Sequence, residues 1–254
     1  MVLAGVDLAW QSSNPTAIAF GDITDQSIVL TDVRSGLACK QSVLNALIKT
    51  EGLAGIAIDA PLIINNKTGQ RNCERELSRD YGSKHASCHT SNQTLYPNAD
   101  SAWLSKELSS YGFKHCGLPS KEKWQVECYP HPALIELFDL EVRHLYKKGS
   151  ADTKRLGQQE LAELLLNLES FIGVSLKVPT AFKSYFQPEA ISRLKGKGLK
   201  QNEDVLDAVV CLIIASLYQM GYPFRVYGEC QSGYIVVPSV RHDGVDSCQS
   251  SPYP

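Results

Sequence analysis

Five acids in this chain stand where an acid is costly. The run V-L-A-G-V-D-L at 2–8 is apolar except for Asp7, and L-A-G-I-A-I-D at 53–59 ends on Asp59. The run W-Q-V-E-C-Y at 124–129 carries Glu127, and the long apolar run from residue 205 to 218 contains Asp207, with Asp204 three residues earlier. A bare carboxylate in an apolar setting is unfavourable unless it is paired, hydrogen-bonded or bound to a metal. Such acids either face a cleft at the ends of their elements or have strong partners. Taken singly, most have a plain structural explanation. Asp7 can open a turn at a strand end, Glu127 can sit on a half-exposed strand, and Asp204 suits the first turn of a helix. Asp207, a turn deep in a buried helix, has no such explanation.

The elements that must position these acids follow from hydrophobic period and from turn residues. Residues 2–8 read as a strand buried on both faces. Residues 16–21 and 27–33 are two more strands, joined by a hairpin loop at 22–26, so the first three strands form an antiparallel meander. Residues 43–49 have helical spacing, closed by Glu51-Gly52. Residues 53–59 repeat the buried-strand pattern, and Pro61 cannot continue a ladder. A crossover helix before this strand sets it parallel to the first. Asp7 and Asp59 then emerge side by side at carboxyl strand ends, where open α/β sheets gather their ligands. In the strand 124–129, Gln125, Glu127 and Tyr129 share one face and Val126 and Cys128 the other. Pro130-His131-Pro132 stops it, and Pro132 suits the first turn of a helix over 133–146. Residues 156–171 are helical by period. In 202–221, Asn202 serves as cap, Glu203 and Asp204 sit in the first turn and Gly221 ends the helix. Apolar residues lie almost all round it, so it is buried. Residues 225–227 and 233–238 form a short closing hairpin.

Between the fourth strand and the fifth, about 63–123, the chain is polar and reads as an insertion. Arg71, Arg75 and Arg79 fall four apart and line one face of a helix, which is either a solvated face with Glu74 and Glu76 as partners or a phosphate-facing stripe. Residues 83–100 form a long loop over the cleft. Cys88-His89 are neighbours that point to opposite sides of an extended chain, a weak setting for a thiol nucleophile or a zinc site. Lys147-Lys148-Gly149 with Lys154-Arg155, and the Gly-containing stretch 193–200, are two basic loops.

The chain has 254 residues and a formal net charge of -2, so no overall field attracts nucleic acid and any anion binding is local. One domain over 1–240 accounts for this length, with 241–254 as a disordered polar tail. The start lacks the pattern of a signal peptide, and no apolar run spans a bilayer comfortably, so the expected location is the cytoplasm, without a membrane partner. The eight cysteines show no C-x-x-C pair and read as reduced thiols.

The order of strands, helices and acids is that of a ribonuclease H-like α/β fold, a mixed central sheet flanked by helices with an insertion after the fourth strand. The chain also resembles a family of predicted RNase H-like nucleases, domain of unknown function number 429. The resemblance rests on G-V-D-L at 5–8, I-D-A-P-L at 58–62, R-N-C-E-R at 71–75, V-E-C-Y-P at 126–130, Y-K-K at 146–148, D-V-L-D-A at 204–208 and G-Y-I-V-V-P at 233–238. It implies metal-assisted hydrolysis of phosphodiester bonds, with nucleic acid as substrate. Carboxylates converging in a cleft repel one another, divalent cations relieve the repulsion, and hard oxygen ligands favour Mg²⁺ or Mn²⁺. The implied catalytic residues are Asp7, Asp59, Glu127 and Asp207. The implied metal ligands are Asp7, Asp59 and Asp207, with Asp204 or Glu127 completing the set and Asp207 favoured over Asp204 on the helix. Arg71, Arg75, Lys148 and the 193–200 loop would hold phosphates. Three other readings stay open: a non-catalytic binding module with a relic site, a metal-dependent phosphohydrolase acting on a small molecule, and an ATP-dependent phosphotransferase.

Overall fold

The computed structural model describes residues 1–10, 14–119 and 121–240. The elements run β1 (Val2–Asp7), β2 (Thr16–Thr24), β3 (Ser27–Leu37), α1 (Lys40–Ile48), β4 (Leu53–Asp59), α2 (Asn72–Tyr81), α3 (Asp100–Ser110) and β5 (Lys114–His115). They continue with β6 (Trp124–Glu127), α4 (Pro130–Phe138), α5 (Ala151–Leu166), α6 (Leu168–Ile172), β7 (Ser175–Lys177), α7 (Pro188–Ile191), α8 (Gly196–Gln219), β8 (Phe224–Glu229) and β9 (Gly233–Pro238). Among the described residues seven strands make one sheet in the order β5-β6-β4-β1-β2-β3-β7, and β8-β9 pair separately. β2 is antiparallel to both β1 and β3, whereas β1-β4, β4-β6, β5-β6 and β3-β7 are parallel. This order around β1, with β2 alone reversed, is the ribonuclease H-like arrangement that the sequence predicts.

The sheet is covered on both faces, which explains the continuous apolar reading of β1 and β4. On one side Ala4, Val6, Ile56 and Ile58 pack against Val43 and Leu47 of α1 and Leu104 and Leu108 of α3. On the other, Leu3, Ala57 and Val126 pack against α8, which α4 and α5 cover in turn. Val205, Leu206, Val209, Val210, Leu212, Ile213, Ile214 and Leu217 are all fully buried on α8. Each such side chain contributes about 1.5–3 kcal/mol by burial, so the helix is anchored despite carrying acids into the interior. Gly5 allows the closest approach. A Cβ there would lie 2.0 Å from Leu212 N and 2.2 Å from Ala208 O.

Several element boundaries differ from the sequence reading, among them the helix expected over 156–171, which is the two helices α5 and α6. The helix expected over 133–146 is α4, Pro130–Phe138. It accepts both prolines in its first turn, where an N–H has no helical partner. It stops at Asp139, whose φ of 49° is left-handed and whose N–H caps Ile135 O. The stretch 193–200 is not all loop, because Lys195 is the extended N-cap of α8 and residues 196–200 form its first turn. Asn202, expected as the cap, is buried inside the helix and donates to Gln158 Oε1. The expected tail at 241–254 lies outside the described residues. No helix among those described is long and apolar enough to cross a membrane.

Candidate active site

Strand alternation decides which acids meet. Leu3, Gly5 and Asp7 share one face of β1, and Gly5 touches α8 at Ala208 and Leu212. Asp7 therefore faces the preceding turn of that helix, which carries Asp204 and Asp207. On β4, Ala57 faces α8, so Asp59 does too, and the parallel register pairs Asp7 directly with Asp59. The two strand-end carboxylates and the two helix carboxylates are brought to one end of the sheet.

Glu127 stands on the other face of the sheet, lining a small pocket with Asp59, whose pKa its charge helps to raise. The register sets it opposite Ile58, whose side chain points to the α1–α3 face of the sheet. There the Leu62 N–H donates to Glu127 Oε2 at 2.9 Å, and Arg71 grips both oxygens at 2.9 and 2.5 Å. Arg71 in turn is 4% exposed. Its remaining donors go to Glu74 Oε1 at 2.8 Å and Ile63 O at 3.1 Å. Glu74 also accepts from the Ser91 hydroxyl and caps the Arg71 N–H. The phosphate contact expected of Arg71 is thus replaced by a buried Glu74–Arg71–Glu127 chain. Arg75 is exposed and turned aside, donating to Gln70 O and Asn72 Oδ1.

The loop after α4 supplies what the sequence reading missed. α5 presses on this loop through Gly157, where a Cβ would lie 2.1 Å from Leu145 O, and His144 Nε2 lies 2.7 Å from Gly157 O. Held in this way, Tyr146 donates its hydroxyl to Asp207 Oδ1 at 2.5 Å, and Lys147 Nζ lies 2.7 Å from Asp207 Oδ2. No hydrogen bond to Oδ2 accompanies this ion pair among the described residues, so this buried oxygen has a charge partner without an aligned donor. The Y-K-K run marked this loop, but which of two adjacent lysines turns inward depends on the backbone path. Lys148, the expected phosphate ligand, lines the cleft.

The electrostatics are those of an acid cluster short of positive charge. Burial, then the charge of Asp207, push the Asp7 carboxyl well above the usual carboxylate range; Lys147 opposes this, and Asp59 and Asp204 add to it. Burial pushes Asp59 up to about 7, with Lys147 opposing and Asp207 adding. For Lys147, burial alone would lower the pKa, but Asp207, Tyr146, Asp59 and Asp7 outweigh it and hold the ammonium well above the ordinary lysine value. Lys200 bridges Glu203 at 2.7 Å and Asp204 at 2.8 Å.

Asp7 and Asp59 open on a cleft of about 670 Å³ whose other walls include His131, Arg143, Lys147, Lys148 and Lys200. Asp204 lines an adjoining hollow with Asp7 and Lys200. Burial, and then the cations around it, hold His131 down at about 3, so it is neutral, and its Nδ1 has no partner among the described residues. Arg143 Nε is likewise buried and unpartnered among them.

Whether the cluster suits a metal ion turns on the donors. Among the described residues no three His, Cys, Asp or Glu side chains stand close enough to grip an ion without adjustment. The donor set nonetheless fits a hard dication: carboxylate oxygens only, raised carboxyl pKa values, and Oδ2 of Asp207 lacking an aligned donor. Asp7, Asp59, Asp204 and Asp207 are the residues able to hold Mg²⁺ or Mn²⁺.

Comparison with curated proteins returns no match. Among solved structures, a crystal structure of the Fowlpox virus resolvase in complex with its substrate Holliday junction DNA aligns over 88% of this chain and 100% of that one, at 10% identity. Its TM-score of 0.37 is too low to carry an argument from that protein to this one. A family model described as "Protein of unknown function (DUF429)" matches residues 5–231. The match runs from Gly5, where α8 rests on β1, to the turn of the closing hairpin, and the chain belongs to the DUF429 family.

Proposed function

We propose that the cleft is the active centre of a divalent-metal-dependent nuclease that hydrolyses phosphodiester bonds in nucleic acid. The observation that carries this reading is the register of Asp7 with Asp59 in a cleft that also holds Arg143, Lys147, Lys148 and Lys200. An acidic floor alone would repel a phosphodiester. Cations lining the same cleft can hold the backbone while the acids work.

In this reading Asp7 and Asp59 bind Mg²⁺ or Mn²⁺, with Asp204 and Asp207 completing the acidic set. A divalent cation there supplies the charge that acidifies an attacking water and stabilises the leaving oxygen. Tyr146 fixes the rotamer of Asp207 through its hydroxyl. Arg143 and Lys148 take the phosphate oxygens flanking the scissile bond. His131, kept neutral and with a free Nδ1, gives or accepts a hydrogen bond at the cleft wall without adding charge. Glu127 and Arg71 act at a distance, holding the chain beyond β4 in place.

The test is cleavage of labelled single-stranded DNA, duplex DNA, RNA and branched DNA with Mg²⁺ or Mn²⁺, by the wild type and by Asp7→Asn. The expected result is metal-dependent cleavage of at least one substrate by the wild type and a loss of 10³-fold or more in the variant, on the order of a catalytic group removed. Asn has the shape of Asp and sheds a charge that burial disfavours, so the variant unfolds at the same temperature as the wild type or higher. Equal cleavage by both proteins would contradict the assignment. Turnover of small phosphoesters alone would keep the chemistry and replace the substrate.

A further inference from the structure

A cation that the chain itself supplies lies 2.7 Å from Asp207. We propose that the Lys147 ammonium is the resident second cation of the acid cluster, and that it limits the site to one divalent ion held by Asp7 and Asp59. This rests on the metal-dependent reading above.

Both oxygens of Asp207 have a neighbour from the loop after α4. Oδ1 accepts from the Tyr146 hydroxyl and Oδ2 faces the Lys147 ammonium at 2.7 Å. A dication on the same carboxylate would sit within a few ångströms of that ammonium and be repelled by it. Asp7 and Asp59 are differently placed, because the described residues supply no hydrogen bond to either carboxylate. The two halves of the cluster are therefore not equivalent. Asp207 holds the lysine in an ion pair, while Asp7 and Asp59, which feel its charge without such a pair, offer two paired acids to an incoming ion.

Lys147 is held where it is by its neighbours. Its Nζ lies 5.3 Å from the centroid of the Tyr146 ring, which is itself fully buried. That ring stacks on His144 at a centroid distance of 5.8 Å, and His144 is tied to α5 through Gly157 O. The lysine side chain nonetheless keeps 28% of its surface exposed on the cleft side, so its charge reaches a bound phosphate as well as Asp207. Two-ion phosphodiesterases place the second cation where it neutralises the leaving oxygen. Here a fixed ammonium takes that post without having to be captured from solution.

The experiment counts bound Mn²⁺ by calorimetry and by the electron paramagnetic resonance of the free ion, in wild type, Lys147→Met and Lys147→Arg. The expected counts are one ion per chain in the wild type and in Lys147→Arg, and two in Lys147→Met, with the spin-coupled spectrum of two neighbouring Mn²⁺ ions only in the last. Two ions in the wild type, or one in Lys147→Met, would overturn the proposal and leave the metal-dependent reading standing. No binding in any of the three would remove that reading and the proposal with it. Should Lys147→Met fail to fold, the wild-type count still decides, since a count of two contradicts the proposal.

Discussion

Arg71 shows how much one side chain can be asked to do away from the chemistry. It places a single positive charge between the carboxylates of Glu74 and Glu127, all three almost fully excluded from water. Removing one partner from such a group leaves charge buried and unpaired, which costs about 3–5 kcal/mol. Arg71→Met is expected to destabilise the protein by that amount in urea unfolding, while leaving the affinity for Mn²⁺ of the folded fraction unchanged. A stable variant that no longer binds phosphate would restore the substrate-binding role that its spacing with Arg75 and Arg79 suggested. At this scale the acids were legible, because an Asp inside an apolar run is conspicuous whatever the fold. The cations were not. Arginines four apart look alike in a string, yet Arg71 lies at the N-cap of α2 and points inward while Arg75 lies one turn on and points out. Lys147 and Lys148 differ only in which way the loop turns.

Among the elements, α8 and β1 matter most to the site, and the contact that sets their spacing is a missing side chain. Ala208 and Leu212 of the helix backbone occupy the space a Cβ on Gly5 would need. One turn along, the same approach brings Asp207 over Asp7. Gly5→Ala must therefore push the helix off the strand. The obstacle is backbone and cannot rotate away, so the expected cost is more than about 3 kcal/mol, the upper end of ordinary overpacking. The urea midpoint should fall, and the Mn²⁺ affinity of the folded protein should fall with it as the acids separate. An unchanged midpoint would show that the packing is looser than described. The helix and both strands were readable from period alone. The exclusion of Glu127 was readable only in part. Its face follows from alternation, but the register that pairs it with Ile58 rather than with Asp59 is a property of two strands together.

The whole molecule joins parts that are far apart in sequence. Asp7 and Asp59 come from the sheet, Asp207 from the last long helix, and Lys147 from a loop that α5 pins from behind. The order of strands and helices gave the ribonuclease H-like core, since a meander, a crossover helix and a second buried strand leave few topologies. The short edge strands β5 and β7, at two and three residues, carry too little pattern to be seen in a string. The cations of the cleft were hidden for another reason, as they mean little until the chain folds them beside the acids. Whether these acids hold a divalent cation is decided by diffraction at the manganese absorption edge from crystals grown with Mn²⁺. The expected result is an anomalous peak about 2.1 Å from carboxylate oxygens of Asp7 and Asp59, a distance typical of small hard dications. A peak elsewhere, or none in the cleft at saturating Mn²⁺, would contradict it.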